Sequence, residues 1–151
     1  MSDLPAAHSV TPAADWSGTP DDRITLTYEG RFMRRKKLTT DQGIDVLVDL
    51  SETTSFNTGD VLTTVDGRTI EVVAAVEDLI EITGPDLVRL AWHIGNRHTP
   101  CQIEANRLLI LHDHVISDML TKIGATQRAV SEPFTPEGGA YGHGRTHSHA
   151  H

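Results

Sequence analysis

The sequence predicts an α+β protein: a small all-β N-terminal domain, a second domain with the element order β-α-β-β-α-β, and a mobile tail containing histidines. Three observations carry that expectation. Between residues 23 and 76 apolar side chains recur at every second position. After Gly84-Pro85 they recur three and four apart, and from Pro136 on glycine and histidine replace them.

Residues 1–22 mix Ala, Ser, Thr, Pro and Asp with no apolar period, so little buried surface is on offer to offset the entropy of ordering. A flexible N-terminal extension is expected there. In the domain at 23–76, Ile24, Leu26 and Tyr28 alternate with Thr25 and Thr27. Ile44, Val46, Val48 and Leu50 face one way while Asp45 and Asp49 face the other, as in half-buried strands. Glu29-Gly30, Gln42-Gly43, Thr58-Gly59-Asp60 and Asp66-Gly67 punctuate these runs with residues suited to turns, and no helix is needed.

In the domain at 77–136, a first strand at Leu79 to Thr83 leads into Leu87, Leu90, Ala91 and Ile94, the i, i+3, i+4, i+7 spacing of one helix face. Pro85 pre-sets the first turn, and Gly95-Asn96 stands where the helix should stop. Gln102 to Glu104 and Arg107 to Leu111, joined by Ala105-Asn106, read as a hairpin. Asp113 is a good N-cap for a second helix with Ile116, Met119, Leu120 and Ile123 on one face, ending at Gly124. Thr126 to Ser131 supplies the last strand, which completes a ferredoxin-like arrangement. Residues 137–151 are left as a His-rich tail.

Composition narrows the function. Apolar residues make up 38%, an ordinary value for a globular core once the glycines are counted. No run reaches the roughly 18 apolar residues of a membrane span. Met1-Ser2-Asp3-Leu4-Pro5 has neither the basic start nor the apolar run of a signal peptide, so a cytoplasmic protein is expected. A net charge of -8 argues against nucleic-acid and membrane partners, which both require a basic face. Cys101 is the single cysteine, so neither a disulfide framework nor a cysteine zinc ribbon can form. Phosphate loops, nucleophile elbows, zincin helices and convincing acid and base pairs are missing, and no enzyme is expected.

Histidine is where the chemistry gathers. There are nine, and His143, His147, His149 and His151 fall within the last nine residues. Imidazole ligates metals readily because its ordinary pKa, about 6.5, leaves a nitrogen free near neutral pH. His98 lies one turn beyond Ile94 on the extension of the first helix's buried stripe, unless Gly95-Asn96 break the phase; a carbonyl-capping histidine is the alternative. His112 and His114 bracket Asp113, and if the strand persists that far both rings point to one side; a solvated first-turn histidine is the other reading. His93 sits on a polar helix face, and Cys101 reads as a small buried hydrophobe in preference to a soft ligand. Arg31, Arg34, Arg35, Lys36 and Lys37 lie on one strand, where either an acidic partner or plain solvation accounts for them.

The segment Gly95-Asn96-Arg97-His98, followed by His112-Asp113-His114-Val115 and Asp118-Met119-Leu120, resembles the UreE urease accessory proteins, the nickel chaperones of urease maturation. Gly59-Asp60-Val61-Leu62, Asp66-Gly67, Ala74-Ala75-Val76-Glu77 and the run Pro133 to Gly142 extend the likeness from about Arg23 to the end. The resemblance implies a β-rich partner-binding domain, a ferredoxin-like domain that dimerises, and Ni(II) carried as cargo between two subunits. Its metal ligands fall on His98, on His112 and His114, and on His143, His147, His149 and His151. It also implies a homodimer that meets a urease accessory GTPase and the apo-urease maturation complex. Residues 1–22 lie beyond the family's usual start on this reading, and the tail is sparser in histidine than in the richest members.

A chaperone has to release its metal, so one or two imidazoles from each chain suit it better than a closed four-ligand cage. Imidazole also accepts Cu(II) and Zn(II), and copper should bind more tightly in vitro. A general divalent-metal storage or detoxification protein is the rival reading; it would bind several metal equivalents with no special role for His98. A metal-dependent hydrolase would need a base and a substrate cleft beside the metal, and the sequence offers neither.

Overall fold

The computed structural model describes residues 4–138. The chain divides into two compact units, Met1–Ala75 and Val76–His151. In the first unit, β1 (Ala6–Thr11), β2 (Asp22–Leu26), β3 (Phe32–Thr39), β4 (Asp45–Ser55), β5 (Val61–Thr64) and β6 (Thr69–Ala74) form one sheet ordered β2-β6-β5-β1-β4-β3. β1 runs parallel to β4, and β2 parallel to β6; the other neighbours are antiparallel. The alternation read from the sequence holds along β4, where Val46, Val48 and Leu50 are buried between half-buried neighbours. They pack with Ile24, Leu38, Phe56, Leu62, Ile70 and Val72. Two short 3-10 turns, Ala13–Asp15 and Glu29–Arg31, interrupt the strands where no helix was expected.

The expectation of a flexible extension over residues 1–22 is overturned for the described residues 4–22, which hold β1. β1 lies between β4 and β5, and Ala7 is fully buried in the core. A strand paired on both sides finds partners for the backbone donors and acceptors along both of its edges and needs only a small inward side chain. Ala7 meets that need without leaving an apolar period in the sequence.

Both sheet margins are protected. Asp41, in the β3–β4 turn, donates its N–H to the Arg23 carbonyl (2.8 Å) and accepts from the Thr25 N–H (3.2 Å), covering the outer side of β2. β3, at the other margin, carries its cations where positive charge discourages pairing with another chain. Two of them join β4 carboxylates, Arg35 to Asp49 at 3.0 Å and Lys37 to Asp45 at 3.6 Å. Arg31 departs from the basic-stripe reading: it is buried in its 3-10 turn and donates to the Leu26 carbonyl at 2.9 Å.

The second unit follows the expected order: β7 (Val76–Thr83), α1 (Leu87–Asn96), β8 (Gln102–Ile103), β9 (Leu108–Leu111), α2 (His114–Lys122) and β10 (Thr126–Pro133). The sheet order is β10-β7-β9-β8, antiparallel throughout. The Glu104 N–H bonds to the Arg107 carbonyl (3.0 Å) and closes the β8–β9 hairpin. Both helices lie on one sheet face: Leu90 and Ile94 of α1, and Ile116 and Leu120 of α2, share a core with Ile80, Ile82, Leu108 and Ile110. Gly84 permits the close entry of α1, since a Cβ there would stand 3.0 Å from Leu90 Cδ1.

The opposite sheet face carries Leu79, Glu81, Leu109, Gln102 and Arg107. Arg107 reaches Glu81 (3.0 Å), Glu104 (3.0 Å) and Glu132 (2.7 Å), while Arg128 reaches Glu81 (3.1 Å). The segment after β10 is also tied down. Phe134 is fully buried, the Thr135 N–H donates to Gln102 Oε1 (2.8 Å), and the Glu137 N–H donates to the Cys101 carbonyl (2.9 Å). The expected unpacked tail from Pro136 is therefore corrected at Glu137. Glycine-poor backbone that finds two fixed acceptors is ordered by them even without an apolar period.

Candidate metal centre

Of the proposed ligands, His98 has the most distinctive geometry. α1 begins with Asp86, whose side chain accepts from the Arg89 N–H at 3.1 Å, and ends at Asn96 with Arg97 as its C-cap. The His98 N–H then bonds back to the Gly95 carbonyl (2.9 Å) and the Thr99 N–H to the Ile94 carbonyl (3.3 Å). Those two bonds are a Schellman ending, whose first residue past the cap must be left-handed. His98 occupies that place with φ 58°, the one non-glycine residue with positive φ among the described residues. The left-handed conformation costs a side-chain-bearing residue about 1–2 kcal/mol, and such strain gathers at functional positions.

This ending corrects the expectation that His98 continues the buried stripe of α1. The stripe stops at the buried Ile94, the backbone reverses at His98, and the imidazole is exposed. Nearby on the same helix, Val88 (82% exposed) and Trp92 (63% exposed) stand one turn apart on the solvent side, and Trp92 meets the His93 ring edge-on at 5.0 Å. Two large apolar side chains so exposed on one helix row, leading toward the His98 end, form a surface suited to protein contact.

Cys101 is no ligand in this setting. It is 9% exposed within the helix-side core, and burial, with a smaller contribution from the Glu137 charge, pushes its thiol up to about 11. The thiolate that binds metal is thus disfavoured.

For His112 and His114, the condition set by the sequence is not met. β9 ends at Leu111, one residue before His112, and His114 is already the first residue of α2, so strand alternation does not align the two rings. Both are exposed. Asp113 between them accepts from the Val115 N–H (2.9 Å) and the Ile116 N–H (3.2 Å), as its reading as an N-cap required. His143, His147, His149 and His151 lie outside the described residues. Among the described residues no three His, Cys, Asp or Glu side chains gather in a group able to hold a metal ion. The described part of one chain therefore offers single imidazoles, a donor set that needs others to complete it.

The described residues thus form a β-sheet unit and an α+β unit, the second with an exposed His98 at a left-handed helix end and two exposed apolar side chains on the same helix. Two family models match the chain: the N-terminal domain of the UreE urease accessory protein over residues 4–75, and its C-terminal domain over residues 77–151. The chain belongs to the UreE family of urease accessory proteins. It is 66% identical to the urease accessory protein UreE of Ruegeria pomeroyi over 99% of both chains. It is 52% identical to that of Rhodobacter capsulatus over 100% of this chain and 96% of the relative, and 52% identical to that of Cereibacter sphaeroides over 100% and 82%. The first match begins at residue 4, so β1 and the rest of residues 4–22 belong to the family domain.

Proposed function

We propose that this chain is a metallochaperone that binds Ni(II) and delivers it during assembly of the urease active site, without catalysing a reaction itself. Family membership supports a role in urease maturation, and the geometry of His98 supports metal binding. The observation that carries the reading is His98 at φ 58°. A Schellman ending favours glycine, and a histidine there is worth its strain when the imidazole has work to do.

One imidazole is a weak site, and a second chain supplies the next. An isologous contact through the Val88 and Trp92 face would set His98 of the two subunits near the symmetry axis. The ferredoxin-like unit is then the dimerisation domain. Two neutral imidazoles hold nickel while leaving positions open for transfer, as a carrier requires. His143, His147, His149 and His151 would add donors, and His112 and His114 a weaker secondary site. The β-rich unit is assigned to partner docking, with the accessory GTPase and apo-urease as partners and the cytoplasm as the compartment. None of the described helices is long and apolar enough to cross a membrane.

Calorimetry with nickel tests the reading on the full chain and on His98→Ala, together with sedimentation of both. A dimer whose tightest nickel isotherm vanishes in the variant is the expected result. An unchanged isotherm, or several equivalent sites indifferent to His98, would favour the storage reading instead.

A further inference from the structure

The two margins of the six-stranded sheet are finished differently. Asp41 covers the outer side of β2, whereas no strand lies beyond β3. Which backbone groups of β3 face outward follows from its neighbour β4. The Leu47 N–H donates to the Pro5 carbonyl (2.9 Å) and the Asp49 carbonyl accepts from His8 Nδ1 (2.9 Å), so both residues turn their backbone groups to the β1 side. Alternate residues of a strand bond to opposite sides, so Val46 and Val48 face β3 and bond with Leu38 and Lys36, their partners in register. Arg35, Lys37 and Thr39 therefore point their N–H and C=O groups away from the sheet. Among the described residues no other segment bonds to those groups. From Arg35 to Thr39 the register with β4 is unbroken, which makes this a regular open edge.

The side chains along this edge decide what it accepts. Arg35 and Lys37 are paired with Asp49 and Asp45 of β4, and the Arg34 guanidinium donates to the Leu50 carbonyl (3.3 Å). Lys36 is exposed and makes no ion pair among the described residues. Four successive cations thus outnumber the two carboxylates that answer them, in a chain whose net charge is -8. We infer that the outer edge of β3 docks an acidic, extended segment of a partner protein, which joins the sheet as one more strand. Main-chain bonds to Arg35, Lys37 and Thr39 hold the segment, and carboxylates opposite Arg35, Lys36 and Lys37 select it. A second copy of β3 would set cations against cations and is rejected. A nucleic acid or an anionic membrane lacks the alternating amide groups and is repelled by the rest of the chain. The charge that discourages chance pairing is thereby the means of choosing a partner.

This inference rests on the β-rich unit being the one that meets partners, and the experiment separates the two. The probe is a labelled octapeptide of alternating glutamate and threonine, titrated into the full chain at low salt, with glutamine in place of glutamate as the control. The glutamate peptide is expected to bind about tenfold more tightly than the control, to shift the amide resonances of Arg35, Lys37 and Thr39, and to weaken as salt is added. Lys36→Glu should lower its affinity about tenfold. Lys37→Pro removes an outward N–H that an edge strand can spare, and should weaken binding more than Lys37→Ala, which removes only the charge. If Lys37→Pro does not fold, Lys36→Glu and the amide shifts decide. Equal affinity for the two peptides, or shifts confined to other strands, would overturn the inference. Equal effects of Lys37→Pro and Lys37→Ala would reduce it to charge attraction and overturn strand addition, as would heparin binding as tightly as the peptide and as sensitively to Lys36→Glu. The accessory GTPase and the apo-urease complex are titrated against the same chain. If they bind while the glutamate peptide does not, partner docking stands and the β3 edge is wrong; if neither binds, both fall.

Discussion

The two helices of the second unit end in the same hydrogen-bonded motif with different residues at its critical place. After α2 the Gly124 N–H returns to the Thr121 carbonyl (3.1 Å) and the Ala125 N–H to the Leu120 carbonyl (3.0 Å), and Gly124 has φ 90°. After α1 the same pair of bonds is made by His98 and Thr99, with His98 at φ 58°. Glycine reaches left-handed φ with no Cβ to clash, so α2 ends at little cost. Histidine ends α1 at a cost and leaves its imidazole exposed. One end carries the residue the motif favours; the other departs from it, and the proposed role of His98 as a ligand accounts for the departure.

Substituting His98→Gly should therefore separate the two demands, with the largest effect expected of any single change. The tight nickel isotherm should disappear while the fold becomes more stable by about 1 kcal/mol, read from the urea midpoint. Retained tight binding would break the comparison at its functional side, and a loss of stability would break it at its structural side. The opposite outcome is expected at the other helix end. Gly124→Ala should cost about 1 kcal/mol, since φ 90° strains any side chain even with nothing within 4 Å of the added Cβ, and nickel binding should not change.

A smaller effect is expected from the double variant His112→Ala, His114→Ala. Both side chains are exposed and Asp113 is engaged in capping, so a weak secondary isotherm should be lost and the tight one kept. If the double variant loses the tight site while His98→Ala retains it, the comparison has been built on the wrong histidine.

The smallest effect concerns acid. Hydrogen bonds from Arg128 and then Arg107 hold the Glu81 carboxyl below its ordinary value of 4.5, and Arg107 does the same for Glu132. A carboxyl whose folded value is depressed stabilises the fold above its unfolded value, and that stabilisation is lost as pH falls through the lowered folded value. Replacing Arg107→Met should thus flatten the fall of stability below pH 4.5 and leave its neutral-pH nickel affinity untouched. Denaturation midpoints from pH 7 down to about 3 would show this, and an unaltered acid slope would count against it.

The sequence by itself determined most of the second unit. Apolar residues three and four apart fixed both helices and their inward faces, Asp113 and Gly124 marked the limits of α2, and two-fold alternation fixed the long strands of the first unit. These signals are local, since period, cap and turn are set within a few residues of chain. Single histidines and the motif around His98 were legible for the same reason, and placed the chain in its family. The tertiary structure alone decided what depends on distant partners. β1 is a strand because β4 and β5 offer it two sets of backbone groups, while its own residues carry no period. Phe134, Thr135 and Glu137 are packed and bonded because Gln102 and Cys101, more than thirty residues earlier, offer acceptors beside the far edge strand of the sheet. His98 turns out to solvent because the helix ending reverses the backbone, and helical spacing extrapolated from Ile94 stops applying once the helical hydrogen bonds stop.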